Sequence, residues 1–239
     1  MKQGIIIGAS SGIGLELAVQ LADKGYQLGL MARRSERLEQ LTTNLPGEHF
    51  IQCTDVSSPE QAQQQLSALI ELMGDVELIV VNSGVGYQEK HLDWSIEREM
   101  IDVNVRGFAA MSVVAIKHFV ERGSGHLVGV SSVAAHLSGG LALTYSASKA
   151  FVSNYLNGMR SRAEHSRLPI TVTTVEPGFV DTPMVQGQSP LWMATTEKAV
   201  AQLVKAIMAK KSHVYITKRW RLVAWLLNIM PKWLMRRLF

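Results

Sequence analysis

Ile5-Ile6-Ile7-Gly8-Ala9-Ser10-Ser11-Gly12-Ile13-Gly14 is the stretch whose reading decides the fold. Ile5 to Ile7 make a short apolar run, as a strand buried on both faces requires. After Gly14 the period changes: Leu15, Ala18, Val19 and Ala22 recur at helical spacing, and Lys24-Gly25 stops the helix. A glycine-rich turn between such a strand and helix permits a tight bend and a close approach of main chain to a pyrophosphate. The helix N-terminus adds free N–H groups and partial positive charge for the phosphates. Gly8, Ser10, Ser11, Gly12, Ile13 and Gly14 are therefore candidate dinucleotide contacts. The spacing is G-x-x-x-G-x-G rather than G-x-G-x-x-G. Three glycines alone can be merely structural, and it is their place between strand and helix that favours a ligand.

Outward from this turn, strand and helix alternate. Strands are predicted at 26–31, 49–53, 76–81, 126–130, 170–175 and 213–217. Helices are predicted after 34, over 59–73 with Pro59 in the first turn, over 96–121, from about Tyr145, and over 196–209. Parallel strands need such crossovers, and the crossovers are right-handed. The predicted fold is α/β: one Rossmann-type doubly wound parallel sheet of about seven strands, helices on both faces, over residues 1–217. Residues 218–239 form a basic, Trp/Leu-rich helical extension.

With 239 residues, 47% of them hydrophobic, the chain can bury a full core, and 18% charged residues without low-complexity tracts argue against disorder. Cys53 is the only cysteine, and Met1, Lys2 and Gln3 before the first strand leave no room for a signal peptide. Both features point to the cytoplasm. The net charge of +4 conceals an asymmetry: residues 210–239 hold eight Lys/Arg and no Asp/Glu, and the rest of the chain is net acidic. A nucleic-acid binder would carry its basic residues over the body, so none is expected as partner. No His/Cys/Asp cluster has metal-ligand spacing, and no metal is expected.

The end of the second strand usually carries the acidic residue that holds a ribose hydroxyl of NAD and repels a 2′-phosphate. Here it is Ala32 followed by Arg33 and Arg34, a pair of guanidinium groups suited to phosphate. NADP(H) is thus preferred over NAD(H), the plain alternative being a solvated basic helix start. Asp55 and Val56, after the third strand, suit adenine through a polar and an apolar contact. Tyr145 and Lys149 stand four apart, on one helical face, where an ammonium favours phenolate and makes the tyrosine a proton donor or acceptor. Ser132 ends the fifth strand, where open α/β sheets bind ligands, and its hydroxyl can hold a carbonyl. Asn104 sits within the long helix, where a packed structural amide is the ordinary reading.

Taken together, Gly8, Gly12, Gly14, Asn104, Ser132, Tyr145, Lys149 and Pro177-Gly178 resemble the short-chain dehydrogenases/reductases, in their compact single-domain NADP(H)-dependent form. The resemblance covers residues 3–217. It implies that Tyr145 exchanges the proton, that Lys149 lowers the tyrosine pKa and binds the nicotinamide ribose, that Ser132 positions the carbonyl, and that Asn104 supports a relay water. It also puts Asn82 and Gly84 at the cofactor, with Pro177, Gly178 and Thr182 beside the nicotinamide and Val130 near its ring. It further implies a homodimer or homotetramer through the long helices. Two positions depart from the family pattern. Ile7 stands where Thr is usual, and Val81-Asn82-Ser83-Gly84 replaces Asn-Asn-Ala-Gly, so apolar packing of Ile7 on Val81 is expected in place of a polar link.

The resemblance makes the protein an oxidoreductase interconverting a small-molecule carbonyl and alcohol. Met184, Leu191 and Trp192, in a wall expected over 179–192, and the adjoining Met193 either pack that loop onto the body or form an apolar lid, and the lid favours a lipophilic ketone or aldehyde. Other expected walls are 84–87 and 136–140. An NADP-dependent dehydrogenase of a small polar hydroxy acid or alcohol is the alternative, and a non-catalytic NADPH sensor or scaffold is another of a different class. Residues 218–239 leave two readings open: peripheral contact with an anionic membrane, since the run is too short to span one, or a cover over the cleft or a subunit interface.

Overall fold

The computed structural model describes residues 2–87, 91–137, 140–185 and 192–238. Seven parallel strands, β1 (Lys2–Ile7), β2 (Tyr26–Ala32), β3 (Phe50–Cys53), β4 (Val76–Val81), β5 (Gly125–Val130), β6 (Ile170–Pro177) and β7 (His213–Ile216), form one sheet in the order β3-β2-β1-β4-β5-β6-β7. The order reverses at β1, which pairs with both β2 and β4. That reversal opens a crevice at the carboxyl ends of β1 and β4, where doubly wound sheets bind their ligands.

Both faces are covered, which explains the nearly continuous apolar strands. Alternate residues divide between the faces: Ile6 joins one core and Ile5 and Ile7 the other. The Ile6 face packs under α1 (Gly12–Ala22), α2 (Ser35–Thr43) and α7 (Thr196–Met208) through Leu17, Leu38 and Leu203. The opposite face packs under α3 (Pro59–Met73), α5 (Phe108–Arg122) and α6 (Leu143–Ser166) through Leu66, Phe119 and Leu156. Ile7 and Val81 are register partners across β1 and β4, buried in the same core, as the two departures from the family pattern led one to expect.

The long helix differs from the expected uninterrupted run. It comprises α4 (Trp94–Ile101), a π-helical turn Asp102–Gly107, and α5. Wide turns of this kind occur often at functional sites, and this one carries Asn104. Gly107 closes it: a β-carbon there would lie 2.5 Å from the Val56 carbonyl oxygen, so only glycine lets the helix come this near. Strand β6 runs on to Pro177, past its expected end. The tail forms α8 (Trp220–Ile229) and α9 (Lys232–Leu238), whose Ala224, Leu227 and Met235 are buried with Val133.

Candidate active site

The turn after β1 is built for close approach. Gly8 has φ +94 and Gly12 φ +54, a region that favours glycine. A β-carbon on Gly14 would fall 2.0 Å from the Gly8 oxygen and 2.6 Å from Asn82 Nδ2. Asn82, at the end of β4, donates to that same Gly8 oxygen at 2.9 Å and ties the turn across the crevice. Ser11 caps α1 without a side-chain bond, and the Leu15 amide on the Ser11 carbonyl is the first helical link. The amides ahead of Leu15 therefore lack helical acceptors, the arrangement that receives an anion.

Arg34 reaches back from the end of β2 to donate to Ser10 at 3.0 Å and Ser11 at 3.4 Å. Burial, then Arg37 and Arg33, holds its pKa below the usual guanidinium range. Arg33 is exposed beside it and lies 3.9 Å from Glu99. Asp55 accepts from the amide and hydroxyl of Ser57 at 2.9 and 2.8 Å, and Val56 is buried against the π-helical turn. Thr182 packs its methyl on Gly12, 3.1 Å from a β-carbon placed there.

Across the crevice, the end of β5, α6 and the π-helical turn bring four predicted side chains together. Ser132 bonds the Tyr145 side chain, accepts from the Ala134 amide at 3.1 Å and donates to the Pro177 carbonyl at 3.4 Å. One turn along α6, the Lys149 ammonium lies 5.7 Å from the Tyr145 ring centre and donates to the Val130 carbonyl at 3.1 Å. Asn104 clamps the Val85 main chain: its Oδ1 accepts from the Val85 amide at 2.9 Å, and its Nδ2 donates to the Val85 carbonyl at 2.8 Å and to the Ser148 hydroxyl at 3.1 Å. Gly84 completes the floor, since a β-carbon there would lie 3.3 Å from Lys149 Nζ and 3.4 Å from Asn104 Oδ1. The small, open floor beside a buried ammonium fits a ribose and its nicotinamide, and the turn after β1 fits the pyrophosphate.

Burial is the first influence on both groups. Burial pushes the Tyr145 phenol above its ordinary value, with the Ser132 hydrogen bond pulling against it. Burial also lowers Lys149 from 10.5 to about 8. Dehydration penalises the charged form of each group, the phenolate and the ammonium alike.

Sequence reasoning missed the support behind these groups. Glu176 in β6 is 1% exposed and accepts from Ser153 at 2.8 Å; its other oxygen lies 2.8 Å from His136 Nε2 and 3.4 Å from His213. Ser153 in turn bonds Ser131, which donates to the Lys149 carbonyl at 2.8 Å. The signal was a lone carboxylate in a Thr/Val-rich strand, immediately before Pro177-Gly178. His136 also reaches Asn228 of α8 at 2.9 Å. Gly178 meets Trp220 so closely that a β-carbon would fall 2.1 Å from the indole. Trp220 contacts Phe179 and Trp192 edge to face, at 5.5 and 6.2 Å between ring centres. Gly86 lies over Tyr145 and near Met184. The expected wall residues 138–139 and 186–191, Leu191 among them, lie outside the described residues.

A doubly wound sheet with a glycine cradle at its switch point and a Ser/Tyr/Lys cluster opposite defines a dinucleotide-dependent oxidoreductase. Residues 2–191 match the family model for short chain dehydrogenases, and the chain belongs to the short-chain dehydrogenase/reductase family as an NAD(P)-dependent enzyme. An uncharacterized oxidoreductase of Myxococcus xanthus is 33% identical over 225 residues, covering 89% of this chain and 86% of its own. One from Mycobacterium tuberculosis is 31% identical over 244 residues, covering 98% and 95%. Among solved structures, an alcohol dehydrogenase of Thermococcus sibiricus complexed with 5-hydroxy-NADP is 25% identical, with TM-score 0.78 and coverage of 90% and 95%. A short-chain dehydrogenase/reductase of Burkholderia phymatum in complex with NAD is 22% identical, with TM-score 0.83 and coverage of 94% and 92%, and shares the fold.

Proposed function

We propose that this protein interconverts a lipophilic ketone or aldehyde and its alcohol, with NADP(H) preferred over NAD(H). The observation that carries the reading is the convergence of Ser132, Tyr145 and Lys149 at the carboxyl end of β5, facing a glycine cradle fronted by Arg34.

The nicotinamide, when bound, supplies or accepts the hydride. Gly8, Ser10, Ser11, Gly12, Ile13 and Gly14 would hold the pyrophosphate, Arg33 and Arg34 the 2′-phosphate, and Asp55 and Val56 the adenine. Asn82, Gly84, Pro177, Gly178 and Thr182 would flank the nicotinamide half. Ser132 donates to the carbonyl oxygen and orients it. Tyr145 gives its proton to that oxygen in reduction and takes it back in oxidation. Lys149 binds ribose hydroxyls and steadies the phenolate as it forms. Asn104 holds Val85 and Ser148 in place around the ammonium.

Exposed Phe179, Met184, Trp192 and Met193 at the same end of the sheet support a lipophilic substrate. The reading also includes a cytoplasmic homo-oligomer. Its contact surface is the groove between α5 and α6, lined by Val113, Ile116, Val120, Tyr155 and Met159. Peripheral membrane contact is assigned to residues 218–239.

The test is oxidation of NADPH and NADH by purified protein across ketones and aldehydes from short and polar to long-chain. The expected result is turnover with NADPH that rises with chain length and disappears in Tyr145→Phe. Turnover confined to small polar carbonyls would make this a polar-alcohol dehydrogenase. NADPH binding without turnover on any carbonyl would make it a sensor.

A further inference from the structure

Helix α8 is apolar on two faces. Its inner face buries Ala224 and Leu227 against Val133 and Met235. Its outer face carries Leu222, Trp225, Leu226 and Ile229, which are 72, 62, 51 and 57% exposed at helical spacing, and Trp233 of α9 adds a side chain 66% exposed. A helix packed on one side should be polar on the other, and a contiguous apolar stripe marks a partner. Lys218, Arg219, Arg221 and Arg237 are exposed on the same segment, which lies in the stretch 210–239 that holds no Asp or Glu.

Charge decides between partners. A second copy docking through this face would set the same cations against each other. An anionic bilayer offers an apolar interior for Leu and Ile, an interface where tryptophan settles, and phosphates for the lysines and arginines. Ten residues of α8 reach about 15 Å, half of a bilayer's hydrocarbon core, so the helix lies in the surface rather than across it.

We infer that the outer face of α8, with Trp233, is a docking surface for an anionic phospholipid bilayer and sets the substrate mouth against the lipid. Two links fix that orientation. The His136–Asn228 bond and the seating of Trp220 on Gly178 hold α8 beside the carboxyl ends of β5, β6 and β7, the end that carries Ser132 and Phe179. The inference rests on the membrane contact assigned above and supplies a route by which a lipophilic carbonyl enters.

The experiment is flotation of the full chain with phosphatidylcholine vesicles, with and without phosphatidylglycerol, at low and high salt. It compares wild type with Trp225→Glu/Leu226→Glu. Turnover of a short water-soluble ketone is measured on the same samples without vesicles. Wild type should float with phosphatidylglycerol vesicles, roughly tenfold or more better than with phosphatidylcholine alone, and lose this in high salt. The variant should stay in the aqueous phase and keep its soluble-ketone turnover. Three results overturn the inference: wild type that stays aqueous on anionic vesicles, a variant that floats equally well, or a variant whose light-scattering mass falls from oligomer to monomer. Absence of turnover in wild type would sink the redox reading and leave the flotation result readable.

Discussion

Trp220 lies on Gly178 with no room between them: a β-carbon at Gly178 would overlap the indole at 2.1 Å. One residue of the tail thereby sets the position of the segment that follows β6, and the two should respond together. Gly178→Ala is expected to unseat Trp220, cost about 1–3 kcal/mol in stability and sharply reduce turnover. Trp220→Ala in the same chain should recover much of the stability. Denaturation curves and tryptophan fluorescence of the single and double variants check this. Additive losses would show that the two residues do not act on each other.

Tyr145→Phe keeps the ring and removes the proton. Reduction is expected to fall by about 10²–10⁴-fold with little change in NADPH affinity. Asn104→Ala should act differently, because its amide clamps Val85 and meets Ser148. It leaves the part-buried main-chain groups of Val85 without their partner, so lower thermal stability should accompany its loss of rate. Steady-state kinetics and melting temperatures separate the two. A fully stable Asn104→Ala would mean that the clamp contributes nothing to the fold.

Cofactor preference is expected to reside mainly in Arg34, which stands against Ser10 and Ser11. Arg34→Ala should raise KM for NADPH by roughly 10–100-fold and leave KM for NADH nearly unchanged, since a charge-assisted phosphate contact contributes about 1.5–3 kcal/mol. An equal rise for both cofactors would assign the arginine to the turn itself.

Stability should vary with pH in two opposed ways. Glu176 raises the pKa of His136, and Glu176 itself, held down by His136, His213 and Ser153 despite its burial, drops from 4.5 to about 2. The His136 contribution is complete below its ordinary 6.5 and disappears as pH rises through its raised value. The Glu176 contribution is complete above 4.5 and disappears as pH falls through about 2. Burial, then Lys210, lowers His126 to about 4, so its contribution is complete above 6.5 and disappears as pH falls through about 4. His136→Gln should therefore flatten the alkaline decline in melting temperature, and His126→Gln the acid decline between 6.5 and 4. Unchanged slopes would mean that these histidines titrate alike in the folded and unfolded chains.

Much of the site was legible in the sequence because its parts are local. The turn of Gly8, Gly12 and Gly14 needs only its own neighbours to announce a close approach, and Tyr145 and Lys149 share a helix face by spacing alone. The π-helical turn at Asn104 was not legible. Its Gly107 packs closely on the main chain of Val56, which comes from another part of the fold. Nor was the Glu176 network, whose partners come from α6, β7 and the segment after β5.

By itself the sequence determined the alternation of strand and helix and the order of the chemical groups along it, because hydrophobic period and glycine placement are properties of neighbouring residues. Tertiary structure alone decided what Asn104 holds, how far the Tyr145 phenol and the Lys149 ammonium are buried, and where the tail rests. Those outcomes depend on which distant side chains a packed sheet brings within about 3 Å, and on how much water it leaves around them.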